Sequence, residues 1–374
     1  MSLVCDNCHK IYKEDNIQWR CSCGSYISYK YSPSFTKEDI ISNRFNMWRY
    51  DFAYPLKYGE LTVTYNEGLT PLVNVPTTKC RLRAKLDNLM PTSSFKDRGT
   101  VMVVNSLIKH NVQKITEDSS GNAGASVAAY CALANIQSEI YVPKGTSIGK
   151  LAQIQAYGAL IHEIEGNRED VAAAAQKDSE SYAGHNWHPL FIQGTKSLAY
   201  EIWEQNNFES PKNIISVAGN GSAILGIYYG FKELLDNRQI SNIPRLFVVQ
   251  AKNCNPIYRE FFNIGDPLSF SNTIAEGIAL SSPNKGSQVV AAVRNTAGQV
   301  LDVSEEEIIS AVKELATKGF YVEPTSAAAY AGICQLVNEG TFQIDDDVVM
   351  MISGDGLKAS STISKMINET NINF

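Results

Sequence analysis

The stretch IISVAGNGSAILG, residues 214–226, decides the fold. Its first five residues are a mostly apolar, β-branched run. Gly219, Asn220, Gly221 and Ser222 follow, and the last residues open a helix. A short apolar run closed by glycine reads as a buried strand. A strand that turns through small residues into a helix is the building unit of a parallel α/β sheet. Such a turn also lets the backbone approach a phosphate at the helix amino terminus. The spacing is neither a Rossmann fingerprint nor a Walker motif, since no lysine follows Gly221.

The same rhythm extends in both directions. Residues 69–75, 82–86, 138–142, 245–251 and 347–353 read as further strands. Residues 96–110, 122–135, 168–183, 305–319 and 325–340 read as helices. In 305–319 an apolar stripe forms at Ile308, Ile309, Val312, Leu315 and Ala316. Alternation of this kind implies a mostly parallel sheet covered by helices, with ligands at the carboxyl ends of strands.

A chain of 374 residues suits two domains with a small appendage. With 44% hydrophobic and 19% charged residues it is not globally disordered. A net charge of −6, from 33 basic and 39 acidic residues, argues against a nucleic-acid protein or a polybasic membrane binder. No stretch approaches the roughly 20 apolar residues of a membrane helix. MSLVCDNCHK lacks the apolar core of a secretory signal, so a cytoplasmic protein is expected.

Three more strand–helix turns carry reactive residues. In DNLMPTSSFKDRG (87–99), Lys96 opens a helix, whose positive end disfavours a charged amine. A lysine of lowered pKa forms Schiff bases, and a solvated surface lysine is the plain alternative. In EDSSGNAGAS (117–126), Asn122 sits between Gly121 and Gly124 with Ser119 and Ser120 beside it. This turn is suited to an anion or is simply a helix cap. In MMISGDGLK (350–358), Ser353 closes a strand with a neutral hydroxyl able to bond a heteroaromatic nitrogen, if it is not an ordinary loop.

Of eight cysteines, four crowd the first 23 residues as Cys5-x2-Cys8-x12-Cys21-x-Cys23. Four thiolates on two turns are the count of a closed tetrahedral zinc site, and Gly24 permits a sharp knuckle. Free thiols or a redox pair are the alternatives. Residues 1–50 hold seven Lys/Arg against five Asp/Glu, without the basic stripe of a nucleic-acid module. Residues 31–60, with Trp48 and tyrosines at 31, 50, 54 and 58, read as an arm packed on the body.

Together the turns resemble the fold-type II, tryptophan synthase β-like enzymes that use pyridoxal phosphate, and within them the threonine synthase family. PTSSFKDRG is similar to that family's PTxSFKDRG. EPTSAAAYAG (323–332), SGDGLK (353–358), TIAEGIAL (273–280) and KLAQIQAYGA (150–159) resemble its other motifs. The resemblance covers roughly residues 60–360. It implies two three-layer αβα domains around a central cleft, plus a zinc-ribbon-like appendage at 1–30 and the arm at 31–60. The large cofactor domain would comprise 61–100 and 190–374, and the small domain 101–189. It implies Lys96 as the lysine that bonds the cofactor and shuttles protons, and Asn122 on the cofactor's phenolic oxygen. Gly219, Asn220, Gly221 and Ser222 would cradle its phosphate, and Ser353 would face the pyridine nitrogen. Glu323 matches an acidic position near the ring or serves as a helix-entry residue. Ser93, Ser119, Ser120 and Lys150 are candidates for gripping substrate. Cys5, Cys8, Cys21 and Cys23 are candidate zinc ligands, as in the ribbon that precedes some threonine synthases.

The implied reaction converts O-phospho-L-homoserine and water to L-threonine and phosphate. The implied partners are a small amino-acid substrate and a second copy in a homodimer, with no nucleic acid or membrane. Several positions depart from the family pattern. Asp87 stands where glutamate is usual, Ser93 replaces a glycine, and Asp355 and Ala359 replace histidine and aspartate. These departures keep a cysteate synthase-like or serine/threonine dehydratase-like enzyme as the alternative. A cofactor-binding but catalytically silent homologue is the third class, against which the retained lysine and glycine loop speak.

Overall fold

In a computed structural model the described residues are 2–13, 18–77, 79–166, 168–177, 182–265 and 270–369. The chain runs β1 (Ser2–Cys5), β2 (Ile11–Tyr12), β3 (Ile27–Lys30), β4 (Leu72–Asn74), β5 (Arg81–Leu86) and α1 (Lys96–Lys109). Next come β6 (Lys114–Glu117), α2 (Asn122–Ala134), β7 (Gln137–Pro143), α3 (Ile148–Ala156), β8 (Leu160–Ile164), α4 (Arg168–Lys177) and α5 (Pro189–Thr195). Then follow α6 (Ser197–Gln205), β9 (Asn213–Val217), α7 (Ser222–Asp236), β10 (Arg245–Ala251), α8 (Pro256–Phe261) and α9 (Gly286–Asn295). The last elements are β11 (Gln299–Val303), α10 (Glu305–Thr317), α11 (Pro324–Asn338), β12 (Asp347–Ile352) and α12 (Ser360–Glu369).

They divide into two units, Met1–Leu69 with Lys96–Ser197 and Thr70–Phe95 with Leu198–Phe374. The expected breaks near 100 and 189 therefore move to 95/96 and 197/198. The reason is packing between α1 and α5. A Cβ on Gly99 would lie 2.5 Å from the Phe191 ring, and one on Gly194 would lie 1.8 Å from the Arg98 carbonyl oxygen. These glycines let the two helices meet at backbone distance, so α1 and α5 belong to one body. Residues 61–69 also go with the first unit, not with the larger domain expected to hold them.

The first unit carries a parallel sheet in the order β6-β7-β8, with Ile115, Ile140 and Val142 buried. Tyr182 adds a parallel bridge to Thr116, and the Ala183 N–H donates to the Thr116 carbonyl at 2.8 Å. Of the helix expected over 168–183, the described part runs Arg168–Lys177, residues 178–181 lie outside the described residues, and Tyr182 is in a bridge instead. The arm is pinned from inside. Buried Glu67 accepts from Trp48 Nε1 at 2.6 Å on one oxygen and from Tyr130 Oη at 2.7 Å on the other. The amino-terminal residues form a small antiparallel sheet, β2-β1-β3.

The second unit holds one sheet ordered β11-β10-β9-β12-β5-β4, parallel except for edge strand β4. β9 is buried at every residue, as expected of a strand covered on both faces. α11 lies on β9, β10 and β12 through Ala327, Ala328, Ala331 and Gly332. A Cβ on Gly332 would come 2.5 Å from Val249 Cγ2, so small residues set this close approach. α10 starts with a capping box from Ser304 and Glu307 and buries Ile308, Ala311, Val312 and Leu315. Ile309 and Ala316, expected in its stripe, lie at the half-buried margin. On β5 the fully buried Lys85 amine is held by Glu201, the Thr70 carbonyl and Gln205. Among the described residues no helix is long and apolar enough to cross a membrane.

Candidate active site

In the first unit Lys96 is the first residue of α1, as the sequence predicts. The residues after it fix that helix end. Buried Asp97 accepts from Ser126 Oγ at 2.6 Å, tying α1 to α2, and buried Arg98 donates to Ser197 Oγ at 2.8 Å. Gly99 admits the Phe191 ring, and the Lys96 amine lies 5.6 Å from that ring's centroid. One turn on, the buried Thr100 hydroxyl meets no hydrogen-bond partner among the described residues.

Asn122 opens α2 behind Gly121, which as N-cap offers no side-chain acceptor. The Gly121 N–H donates to Ser119 Oγ at 3.3 Å, and a Cβ on Gly124 would strike the Ser119 carbonyl oxygen at 1.9 Å. Ser119, Ser120 and Asn122 thus share one tight turn, whose Gly121 faces open space. Lys150 lies on α3, which packs on α2, and is exposed.

In the second unit the glycine loop follows β9. Gly221 has a φ of +83°, and a Cβ there would lie 2.2 Å from Val289 Cγ2. A Cβ on Gly219 would approach the Gly277 carbonyl oxygen at 3.1 Å. Only glycine satisfies Gly221 on both counts. α7 begins at buried Ser222, and its first intrahelical acceptor is the Gly221 carbonyl, bonded by the Leu225 N–H. The amino end of a 15-residue helix thus meets a loop stripped of side-chain bulk, the arrangement that accepts a phosphate.

Ser353 stands at the carboxyl end of β12, which neighbours β9 in the sheet. Its hydroxyl lies 2.9 Å from Ser326 Oγ and 3.2 Å from Glu323 Oε1. Ser326 accepts the Ser353 and Gly354 N–H groups at 2.9 and 3.0 Å. A Cβ on Gly354 would fall 2.5 Å from the Glu323 carboxyl, so the glycine makes room for that acid.

Residues 92–95 are laced to this loop. The Phe95 N–H donates to the Ser353 carbonyl, the Asp355 N–H to the Ser93 carbonyl, and Lys358 Nζ to the Thr92 carbonyl. Ser94 is fully buried and its hydroxyl has no hydrogen-bond partner among the described residues. Ser93 has a φ of +64°, the left-handed conformation that favours glycine. Replacing Ser93 with glycine is expected to raise stability by up to about 1 kcal/mol, read from the denaturant midpoint. A lower midpoint would show that the hydroxyl makes a compensating contact.

At the amino terminus the sulfurs of Cys5, Cys8, Cys21 and Cys23 lie within 4.8 Å of one another. Two pairs, Cys5–Cys23 and Cys8–Cys21, are 3.5 Å apart, well beyond a disulfide bond of about 2.0 Å. The Cys8 N–H points at Cys5 Sγ (3.4 Å), and Gly24, at φ +87°, closes the second knuckle onto the Cys21 carbonyl. A backbone N–H from Cys23 and the Tyr12 hydroxyl, 2.9 Å away, hold the Cys21 thiol down at about 6. The cluster could hold a metal ion.

The pyridoxal-phosphate dependent enzyme family matches residues 63–354. The chain belongs to that family. Among relatives of this pyridoxal-phosphate dependent enzyme is the threonine synthase of Methanocaldococcus jannaschii. It is 32% identical over 372 residues, covering 95% of this chain and 92% of the relative. The threonine synthase of Mycobacterium tuberculosis is 34% identical over 313 residues, covering 81% and 85%. Among solved structures, maize serine racemase matches with a TM-score of 0.67 at 20% identity, covering 80% of this chain and 92% of that one. A processed threonine deaminase from Solanum lycopersicum matches at 0.69 and 18%, covering 91% and 94%. These structures show that the enzyme has the α/β fold of fold-type II.

The enzyme also carries groups that the sequence patterns did not single out. Among the described residues the hydroxyls of Ser94, inside the quoted lysine motif, and Thr100, just after it, are buried without a hydrogen-bond partner. Their partnerless burial is visible only in three dimensions. The buried Glu117 and His185, 68 residues apart, meet at 2.9 Å. No local pattern joins them.

Proposed function

We propose that the protein is a threonine synthase, converting O-phospho-L-homoserine and water to L-threonine and phosphate. The observation that carries this reading is the near full-length similarity to the M. jannaschii threonine synthase. Local geometry supports the cofactor sites: a glycine loop in which Gly221 excludes any Cβ and Gly219 leaves little room for one heads α7, and neutral Ser353 closes the neighbouring strand.

On this reading Lys96 holds the cofactor through its amine, and Gly219, Asn220, Gly221 and Ser222 hold its phosphate with helix-terminal donors. Asn122 takes the phenolic oxygen, and Ser353 takes the pyridine nitrogen. Bound pyridoxal phosphate supplies the electron sink that stabilises negative charge at the substrate α-carbon. Lys96 Nζ removes the α-proton and then carries the β-proton. Phosphate departs from the γ-carbon with its bridging oxygen, the γ-carbon takes up a proton, water leaves its hydroxyl at the β-carbon, and the α-carbon regains its proton. Ser93, Ser119, Ser120 and Lys150 grip the substrate's charged ends. Zn²⁺ fits the four sulfurs, since Zn–S bonds of about 2.3 Å in a tetrahedron set sulfurs about 3.8 Å apart. The enzyme is further proposed to act in the cytoplasm as a homodimer.

One observation favours a second substrate. Asp355, where the family shows histidine, caps the turn after it by accepting the Leu357 N–H at 2.9 Å and takes Asn88 Nδ2 at 3.1 Å. The position serves the loop, and a cysteate synthase-like or dehydratase-like enzyme is the competing assignment. Phosphate release and amino-acid products should be followed with O-phosphohomoserine, O-phosphoserine, serine and threonine in parallel. Threonine from the first alone upholds the proposal, and turnover of the others alone replaces it.

A further inference from the structure

Glu117 closes β6 and lies with its side chain fully buried. His185 Nδ1 meets its Oε1 at 2.9 Å, and the His185 N–H donates to Oε2 at 3.3 Å. The His185 ring stands edge-on to Phe191, 5.7 Å between centroids. Phe191 is the ring that fills the space over Gly99 and carries the Lys96 amine 5.6 Å from its centroid. Lys96, Phe191, His185 and Glu117 therefore form one chain of contacts within the first unit.

We infer that Glu117 and His185 are a positioning pair for Lys96, in which His185 anchors the Glu117 carboxyl and that carboxyl sets the charge of the lysine amine. The inference rests on the assignment of Lys96 as the cofactor lysine. Electrostatics agree with the geometry. Burial pushes the Glu117 carboxyl well up, Asp118 adds to this, and Lys96, the His185 N–H and Arg168 pull it back. Burial pushes His185 well down, and the charges of Lys96 and Arg168 push the same way. Tyr182, which donates to Asp118 at 2.7 Å, stands in the same titratable cluster. Interaction between Lys96 and Glu117 is reciprocal: if the lysine charge favours an ionised Glu117, an ionised Glu117 favours a charged lysine. A lysine must shed its proton to act as nucleophile or base, so the pair governs the pH at which Lys96 becomes competent.

The test is competitive acetic anhydride labelling of the full cofactor-free chain across pH, with the Lys96 peptide quantified by mass spectrometry. Glu117→Gln keeps the shape and a partner for His185, and it should lower the Lys96 midpoint by about one pH unit or more. Below both midpoints Lys96 then labels about tenfold faster than in the parent. His185→Phe keeps the ring against Phe191 but removes the donor, leaving Glu117 less ionised, and it should move the midpoint the same way. His185→Gln, which still donates, should restore it. If Glu117→Gln fails to fold, the two His185 variants carry the same comparison. An unmoved midpoint in the folded variants overturns the inference and leaves the lysine assignment standing. Failure of pyridoxal phosphate to attach at Lys96 in the parent chain overturns the assignment and this inference with it.

Discussion

Replacing Lys96 with alanine leaves a folded protein in which threonine formation is lost by at least about three orders of magnitude. The folding half of this expectation follows from what holds α1. Asp97 is tied to Ser126, Arg98 to Ser197, and Gly99 lies under Phe191, while Lys96 itself is only half-buried at the helix entrance. Alanine suits a helix, so the stability change should stay within about 0.5 kcal/mol. The loss then reports chemistry: one amine is asked both to hold the cofactor and to move two protons. The measurements are kcat with O-phosphohomoserine and the thermal midpoint of the same preparation. A variant that keeps normal turnover ends the assignment of Lys96.

Stripping the zinc proposed for the amino-terminal cysteines should have the second largest effect. Among the described residues of 2–30, the cluster around the cysteines holds only Leu3, Cys5, Tyr12, Cys21 and Ile27 with Tyr29 at its edge. So small a cluster does not fold without a staple, and a structural zinc contributes on the order of 10 kcal/mol. Chelation, or Cys8→Ser, should therefore release one zinc per chain and melt this sheet. The consequence reaches further, because Trp19 packs edge-on to Tyr182 and Trp187 at 4.7 and 5.3 Å. Tyr26 lies 4.2 Å from Trp187, and the Arg20 guanidinium covers the same ring at 5.0 Å. Tyr182 and Trp187 flank His185, so melting the ribbon loosens the segment that meets Glu117 and Phe191. The expected readout is a red-shifted tryptophan emission, smaller in Trp19→Phe where Trp187 alone reports it, with turnover falling several-fold. Full activity and unchanged emission after complete metal loss would show that the ribbon is independent of this segment.

The sequence made the second unit legible and much of the first obscure, for physical reasons. β9, β10 and β12 are mostly apolar and buried at nearly every residue because helices cover both faces, and α10 announces itself by an apolar stripe. β6 and β8 read KITE and LIHEI, short and partly exposed strands that no periodicity distinguishes from loop. The positions of Lys96, Asn122 and Ser353 at element ends were readable because glycine and serine punctuate those turns. The division of the chain was misplaced by a few residues, since what joins α1 to α5 is the fit of Phe191 over Gly99. That fit spans some ninety residues of sequence. The Glu117–His185 contact is hidden for the same reason. Ser93 is the instructive departure: it stands where glycine is usual, and its φ of +64°, the left-handed conformation that glycine adopts freely, became visible only in the structure.

The central claim, a carbon–oxygen lyase that rebuilds its substrate with water, is tested most directly by the fate of solvent oxygen. Purified full-length protein loaded with pyridoxal phosphate should be supplied with O-phosphohomoserine in heavy-oxygen water. The products, analysed by mass spectrometry, should be threonine with one heavy oxygen on its β-carbon and phosphate with none. Heavy oxygen in the phosphate with homoserine as product, or no threonine from a loaded enzyme, would contradict it.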